Sequence, residues 1–234
     1  RRFIADAAHQ MRTPITGLKM QAELALRERD PHALRQDLQR LHGAAERAAH
    51  LIQQLLTLAR AESSSEAVHR IERVDVHELL REVALELYPK AQHKALDLGL
   101  DEDKTTLFVE GNRLMLHELF KNLVDNAIQY TPPGGKVTLR ALAREDSIDV
   151  EVEDTGIGIP PADRPRVFER FYRVLDTGVD GSGLGLAIVR EIAEMHRADV
   201  TLEPNPHGQG TLARVRFPLP GEAQENARAA PTSD

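Results

Sequence analysis

Two glycine-rich stretches and a pair of asparagines are the residues of this chain best suited to holding phosphates. "DTGIGIP", Asp154 to Pro160, follows a strand-like run of alternating Val and acid, and Gly156 and Gly158 let a backbone turn pass close to a ligand. "DGSGLGLAIV", Asp180 to Val189, puts Gly181, Gly183 and Gly185 directly before a helical pattern, where unshielded amides at a helix N-terminus attract phosphate oxygens. Neither is a Walker A loop, because the Lys-Ser/Thr pair is missing, and neither matches GxGxxG; either alone reads equally well as a turn-rich loop. In "HELFKNLVDNAIQYTP", Asn122 and Asn126 lie four apart, so both carboxamides leave one helical face. An amide oxygen is a hard, neutral donor able to hold Mg²⁺ or its waters beside a triphosphate. Solvated or loop-capping asparagines are the bland alternative.

A fourth feature lies far upstream, in "ADAAHQMRTP". His9 falls one position past Ala8 on a heptad pattern, beside the apolar seam, where a neutral imidazole presents a nitrogen lone pair to solvent. Arg12 follows one turn on, placed to meet an incoming phosphoryl charge. Pro14 removes the amide that would bond the carbonyl of Gln10, which predicts a bend or loosening just after the histidine. By itself, an exposed histidine on such a helix is usually inert. None of the other histidines has HExxH or comparable ligand spacing.

The elements that must position these groups follow from periodicity. Ile4, Ala8, Met11, Ile15, Leu18, Ala22 and Ala25 recur in a four-three alternation, "ERDPH" breaks it, and Leu34, Leu38, Leu41, Ala45, Ala48, Ile52, Leu55 and Ala59 repeat it. This predicts an antiparallel helical hairpin over residues 1–62 that pairs with a second copy into a four-helix bundle, hence a homodimer. "SSSEAVH", residues 63–69, reads as a linker. From 70 to 219 the pattern is α+β: strands at "IERVDV", "ALDLGL", "TLFVEG", "GKVTLRALA", "SIDVEVED", "DVTLEP" and "GTLARVRFPL". Helices are expected from a capping box at Asp75 and Glu78 to about His93, from Arg113 to Tyr130, and from Leu184 to His196. The strands should lie mostly in hairpins, with helices on one face. The tail at 220–234 lacks apolar residues and is expected to be disordered.

Composition narrows the partners. With 30 Lys+Arg against 37 Asp+Glu, a net charge of -7, the 234-residue chain has no basic field for nucleic acid or a polybasic membrane contact. No cysteine is present, so disulfides and thiolate metal sites are excluded. No run approaches the ~18 to 20 apolar residues of a membrane span. The chain opens at Arg1 already inside a helical pattern, as a piece of a longer protein would, so any membrane attachment would come through segments absent from it.

Five ordered blocks, "FIADAAHQMRTP", "LFKNLVDNAIQYTP", "DTGIGIP", "RVFERFYR" and "GSGLGLAIV", resemble the H, N, G1, F and G2 boxes of the sensor histidine kinases of two-component systems, and the resemblance runs from Phe3 to about Leu219. It implies a dimeric phosphotransfer hairpin followed by the α/β sandwich shared with gyrase, Hsp90-type chaperones and MutL, with ATP under a mobile lid. His9 would then take the γ-phosphoryl group and pass it to an aspartate on a response regulator receiver domain. Asn122 and Asn126 would lie around Mg²⁺ and the phosphates, with the Tyr130 ring near the nucleotide. Asp154 would accept a hydrogen bond from the adenine amino group, Gly156 and Gly158 would line that pocket, and Gly181, Gly183 and Gly185 would offer amides to the phosphates. Arg170 and Arg173 would pair with the β/γ phosphates on lid closure, while Phe168 and Phe171 anchor the lid.

Two positions depart from the family pattern and a third extends its chemistry. Gln10 stands where an acidic proton acceptor is usual, and a carboxamide orients an imidazole without taking its proton. Gln129 replaces a commonly basic residue. Thr13, one turn after His9, matches a position associated with dephosphorylating the regulator. The resemblance also implies a cytoplasmic portion of an inner-membrane sensor. Two further readings stand beside it: an ATP-gated dimeric clamp of the chaperone or mismatch-repair kind, which phosphorylates no protein, and a catalytically silent interaction module.

Overall fold

A computed structural model describes residues 2–61, 70–101, 105–174 and 181–219, with the side chains of 2–10, 12, 13, 60 and 61 excepted. The linker expected at 63–69 and the tail expected at 220–234 lie outside the described residues. Two compact units divide the chain, Arg1–Ala59 and Arg60–Asp234.

The first unit carries α1 (Arg2–Ala25) and most of α2 (Pro31–Ala61). Pro14 lies inside α1 without ending it. Asp30 starts α2 as its cap, its carboxylate accepting from the amides of His32 (3.3 Å) and Ala33 (3.2 Å). Pro31 follows at the first helical position, where its missing N–H costs nothing. The connection is short, the length that returns a helix beside its predecessor. Within one chain the seam is only half covered: Ala25, Ala48 and Leu55 are buried, whereas Ile15, Leu38 and Ile52 are 54%, 51% and 40% exposed.

The second unit carries, among the described residues, β1 (Glu72–Asp75), α3 (Val76–His93), β2 (Asp97–Asp101), β3 (Phe108–Gly111), α4 (Arg113–Tyr130), β4 (Lys136–Ala143), β5 (Ser147–Asp154), α5 (Gly185–Met195), β6 (Asp199–Pro204) and β7 (Thr211–Pro218). Asp75 caps α3 through the Glu78 amide at 3.1 Å, as its spacing predicts. Four of the seven described strands lie in hairpins, as expected, and the sheet adds pairings that sequence proximity does not give. β4–β5 and β6–β7 are hairpins, but the five-stranded order β2-β4-β5-β7-β6 sets β2 parallel to β4 and joins β5 to the distant β7; β1 pairs with β3 in a separate ribbon.

Period-2 alternation in β5 sends Ile148, Val150 and Val152 to the helical side and Asp149, Glu151 and Glu153 to the other. On the helical side Leu79, Leu80, Leu116, Phe120, Ile188 and Ile192 are fully buried, and the Phe120 ring meets Phe217 edge-on at 6.2 Å. Truncating Phe120 to Ala would cost about 3–5 kcal/mol. On the far face the register places Arg140 and Arg214 opposite Glu151 and Arg216 opposite Asp149. Arg216 forks onto Asp149 (2.9 and 3.1 Å) and Arg214 bonds Glu151 (2.9 Å) and Glu203 (3.0 Å). The buried acids of "SIDVEVED" are thus matched by cations on neighbouring strands, and this face carries charge rather than helices.

Candidate nucleotide site

The same alternation that buries Val150 and Val152 puts Asp154, the last residue of β5, on the core side of the sheet, 7% exposed. Its Oδ1 accepts from the amides of Gly156 (2.8 Å) and Thr211 (3.1 Å); Oδ2 takes no hydrogen bond from the described residues. Its main-chain oxygen accepts from Asn205 Nδ2 at 2.8 Å. Burial pushes this carboxyl above the usual 3.8, the two amides pull the other way, and Glu153 adds repulsion. A carboxylate held so, with one oxygen committed to the protein, can accept one hydrogen bond from outside.

The glycines around it are required by protein backbone. A Cβ on Gly156 would come within 2.6 Å of the Tyr130 carbonyl oxygen, and one on Gly210, which has φ +127°, within 1.9 Å of the Asp154 carbonyl oxygen. Gly158 turns with φ +75° against Gly210. The Asp154 turn, the end of α4 and the β6–β7 turn therefore touch main chain to main chain.

Helix α4 begins at Asn112, whose side chain accepts from the Met115 amide (3.1 Å). It ends where Lys94 Nζ donates to the carbonyls of Ile128 (2.8 Å) and Gln129 (2.6 Å), a cation on the negative end of the helix. Burial, then Lys90, lowers the Lys94 pKa. Asn122 is buried and its Nδ2 donates to the Glu118 carbonyl (2.7 Å), which turns Oδ1 outward from its own helix.

That oxygen faces the third motif. A Cβ on Gly185 would lie 3.2 Å from Asn122 Oδ1 and 3.4 Å from Asn126 Nδ2, and one on Gly181 would lie 3.5 Å from Gln129 Nε2. Gly185 opens α5, whose N-terminus has no side-chain cap and no acidic residue in its first turn. A helix start without a side-chain cap, two carboxamides and an absent side chain lie together here, polar groups and space suited to phosphate oxygens.

Gly183 (φ +71°) is locked to Phe171, itself at φ +63°: the Phe171 amide donates to the Gly183 carbonyl (2.8 Å), and a Cβ on Gly183 would strike the Phe171 backbone. This clip joins the F and G2 blocks. Arg170 reaches Glu191 on α5 (3.4 Å), so its guanidinium already has a carboxylate partner. Arg190 stands over the Phe168 ring at 6.0 Å.

The structure thus brings together Asn122, Asn126, Tyr130, Asp154, Gly156, Gly158, Gly181, Gly183 and Gly185, residues scattered along the sequence. Arg173 is exposed, two residues past Phe171. The side chains of His9, Gln10, Arg12 and Thr13 lie outside the described ones. Lys94, Asn205, Gly210 and Thr211 belong to the site and escaped the sequence reading. For the last two, the glycine-threonine step after a strand pattern was an available signal; for Lys94 and Asn205 there was none.

Against known proteins, residues 111–221 match the family model "Histidine kinase-, DNA gyrase B-, and HSP90-like ATPase", and residues 1–64 match "His Kinase A (phospho-acceptor) domain". Sensor protein QseC of Escherichia coli (strain K12) is 38% identical over 201 residues, 86% of this chain and 44% of that protein. The chain spans about half the length of the curated relatives it matches. Among solved structures, the mycobacterial sensor histidine kinase MprB aligns with TM-score 0.55 at 30% identity, over 63% of this chain and 96% of that one. Histidine kinase ThkA, in complex with response regulator protein TrrA, shares the fold with TM-score 0.74 at 23% identity, over 94% of this chain and 62% of that one. With a phospho-acceptor helical domain followed by an ATPase domain whose N, G1, F and G2 blocks meet at one site, the chain belongs to the sensor histidine kinases of two-component systems.

Proposed function

We propose that this chain is the catalytic portion of a protein-histidine kinase that phosphorylates His9 from ATP and passes the group to an aspartate on a response regulator receiver domain. The observation that carries the reading is the convergence of Asn122 and Asn126 on Gly185 at the uncapped start of α5. Asp154, with Oδ1 satisfied by protein amides, receives the adenine amino group on Oδ2. Asn122 and Asn126 would hold Mg²⁺, which neutralises triphosphate charge when bound. The unprotonated imidazole nitrogen of His9 attacks the γ-phosphorus, the bond to the β-phosphate oxygen breaks, and ADP leaves. Solvent takes the proton from the other ring nitrogen, since Gln10 cannot accept it. In the second step a receiver aspartate oxygen attacks phosphorus and the P–N bond breaks.

The half-exposed seam residues Ile15, Leu38 and Ile52 support a homodimer, because a second copy covers them in a four-helix bundle. No described helix is long and apolar enough to cross a membrane, which fits the cytoplasmic portion of an inner-membrane sensor. Thr13 is assigned to dephosphorylation of the regulator: Thr13→Ala impairs that reaction and spares His9 labelling, and equal loss of both refutes the division.

Incubation with γ-labelled ATP tests the main reading. Acid-labile label appears on the protein and is absent from His9→Ala. Free phosphate without protein label would instead support an ATP-gated clamp. Mixing His9→Ala and Asn126→Ala subunits reports transfer between protomers.

A further inference from the structure

We propose that Asn205 is a positioning residue for purine recognition: it clamps the main chain of Asp154 to the β6–β7 turn and so aims the Asp154 carboxylate. The inference rests on the ATP-site reading above. The antiparallel ladder between β5 and β7 ends at Glu153 opposite Leu212, so the Asp154 carbonyl lies one residue past the last ladder pair on that side. Asn205 supplies the missing donor. It is buried, 6% exposed, and uses both ends of its carboxamide: Nδ2 donates to the Asp154 carbonyl (2.8 Å) and Oδ1 accepts from the His207 amide (2.7 Å). Its own amide donates to the Gly210 carbonyl (3.1 Å) and its carbonyl accepts from Gly208 (3.4 Å), which closes the turn.

That turn delivers the Thr211 amide to Asp154 Oδ1 (3.1 Å) and presses Gly210 against the Asp154 carbonyl so closely that no side chain fits. Asn205 therefore holds the backbone of Asp154 directly and one of its two carboxylate donors indirectly. Only a short carboxamide does both: Asp lacks the donor, Ser has a single oxygen, and Gln is one methylene too long for the same pair of contacts.

Asn205→Asp separates the two arms, since it keeps an acceptor for the His207 amide and replaces the donor facing Asp154 by an oxygen. The full 234-residue chain is compared with this variant by calorimetric titration with ATP and with inosine triphosphate, which carries an oxygen in place of the adenine amino group, alongside thermal melts. The expected result is about a tenfold loss of ATP affinity, the worth of one buried hydrogen bond, with inosine triphosphate affinity changed less than about twofold. KM for ATP rises while kcat at saturating ATP holds. Asn205→Ser repeats the comparison with a smaller hydroxyl donor should the Asp variant not fold. Equal loss for both nucleotides, or a lower melting temperature with ATP affinity intact, would overturn the proposal by making Asn205 a structural residue only. A wild-type chain that binds neither nucleotide would overturn the site reading itself.

Discussion

Replacing Asp154 by Asn should separate binding from stability, with opposite signs. The amide keeps an oxygen where Oδ1 accepts from Gly156 (2.8 Å) and Thr211 (3.1 Å), so the local fold is retained. At the Oδ2 position it puts an N–H₂ group, which under the proposed function would meet the adenine amino group donor to donor. Losing a charge-assisted hydrogen bond costs about 1.5–3 kcal/mol and an unpaired buried donor about 1–3 more. Taking the lower half of that range, roughly 3–4 kcal/mol, ATP affinity falls about 10²- to 10³-fold. Stability moves the other way. Burial raises the Asp154 pKa above 3.8 against the pull of Gly156 and Thr211, so the folded state prefers the protonated carboxyl. Its contribution to stability is full below pH 3.8 and is lost as pH rises through the raised value, and a neutral amide removes that loss. Asp154→Asn should thus melt at the same or a higher temperature than wild type at pH 7.5, while calorimetry shows the ATP loss and a gain for inosine triphosphate. An affinity within threefold of wild type would refute the reasoning, as would a melting temperature that falls with it.

Three more substitutions probe separate parts of the unit. Gly185→Ala introduces a Cβ 3.2 Å from Asn122 Oδ1 and improves helix propensity by up to ~1 kcal/mol, so autophosphorylation should drop about tenfold or more while melting holds or rises. An unchanged rate would show that the carboxamides do not work against that glycine. His196 accepts from the Asn112 amide on Nε2 (2.9 Å) while Nδ1 faces the Ile192 carbonyl (2.7 Å), and burial lowers its pKa below 6.5. Its contribution is therefore full above pH 6.5 and lost as pH falls through the lowered value; His196→Leu should cost about 1–3 kcal/mol at neutral pH and flatten the acid side of a stability–pH curve. A curve that keeps its slope would exclude His196 as the titrating group. Arg214→Met removes the closest cation from buried Glu151 (2.9 Å) and should lower urea stability by about 2 kcal/mol with ATP affinity unchanged; a purely decorative ion pair would show no loss.

The local grammar of the chain was legible without coordinates. The heptads of α1 and α2, the Asp75 cap, the extent of α4 and the alternation of "SIDVEVED" depend on groups within about four residues of one another, and such contacts write a period or a cap into the sequence. That the motif blocks gather at one site was implied by the family resemblance of five blocks in order, since the glycines and asparagines taken singly read equally well as turns and caps. What the chain alone left open was register and contact across distance. Nothing near "ALDLGL" tells that β2 runs parallel to β4, nothing near Arg170 tells that Glu191 will meet it, and Asn205 reaches Asp154 across 51 residues. The acids of β5 could not be paired with Arg140, Arg214 and Arg216 until β5 was set between β4 and β7. Those contacts are set by which strands lie adjacent, a choice made by burial of the whole apolar face at once, and only the tertiary structure decides it.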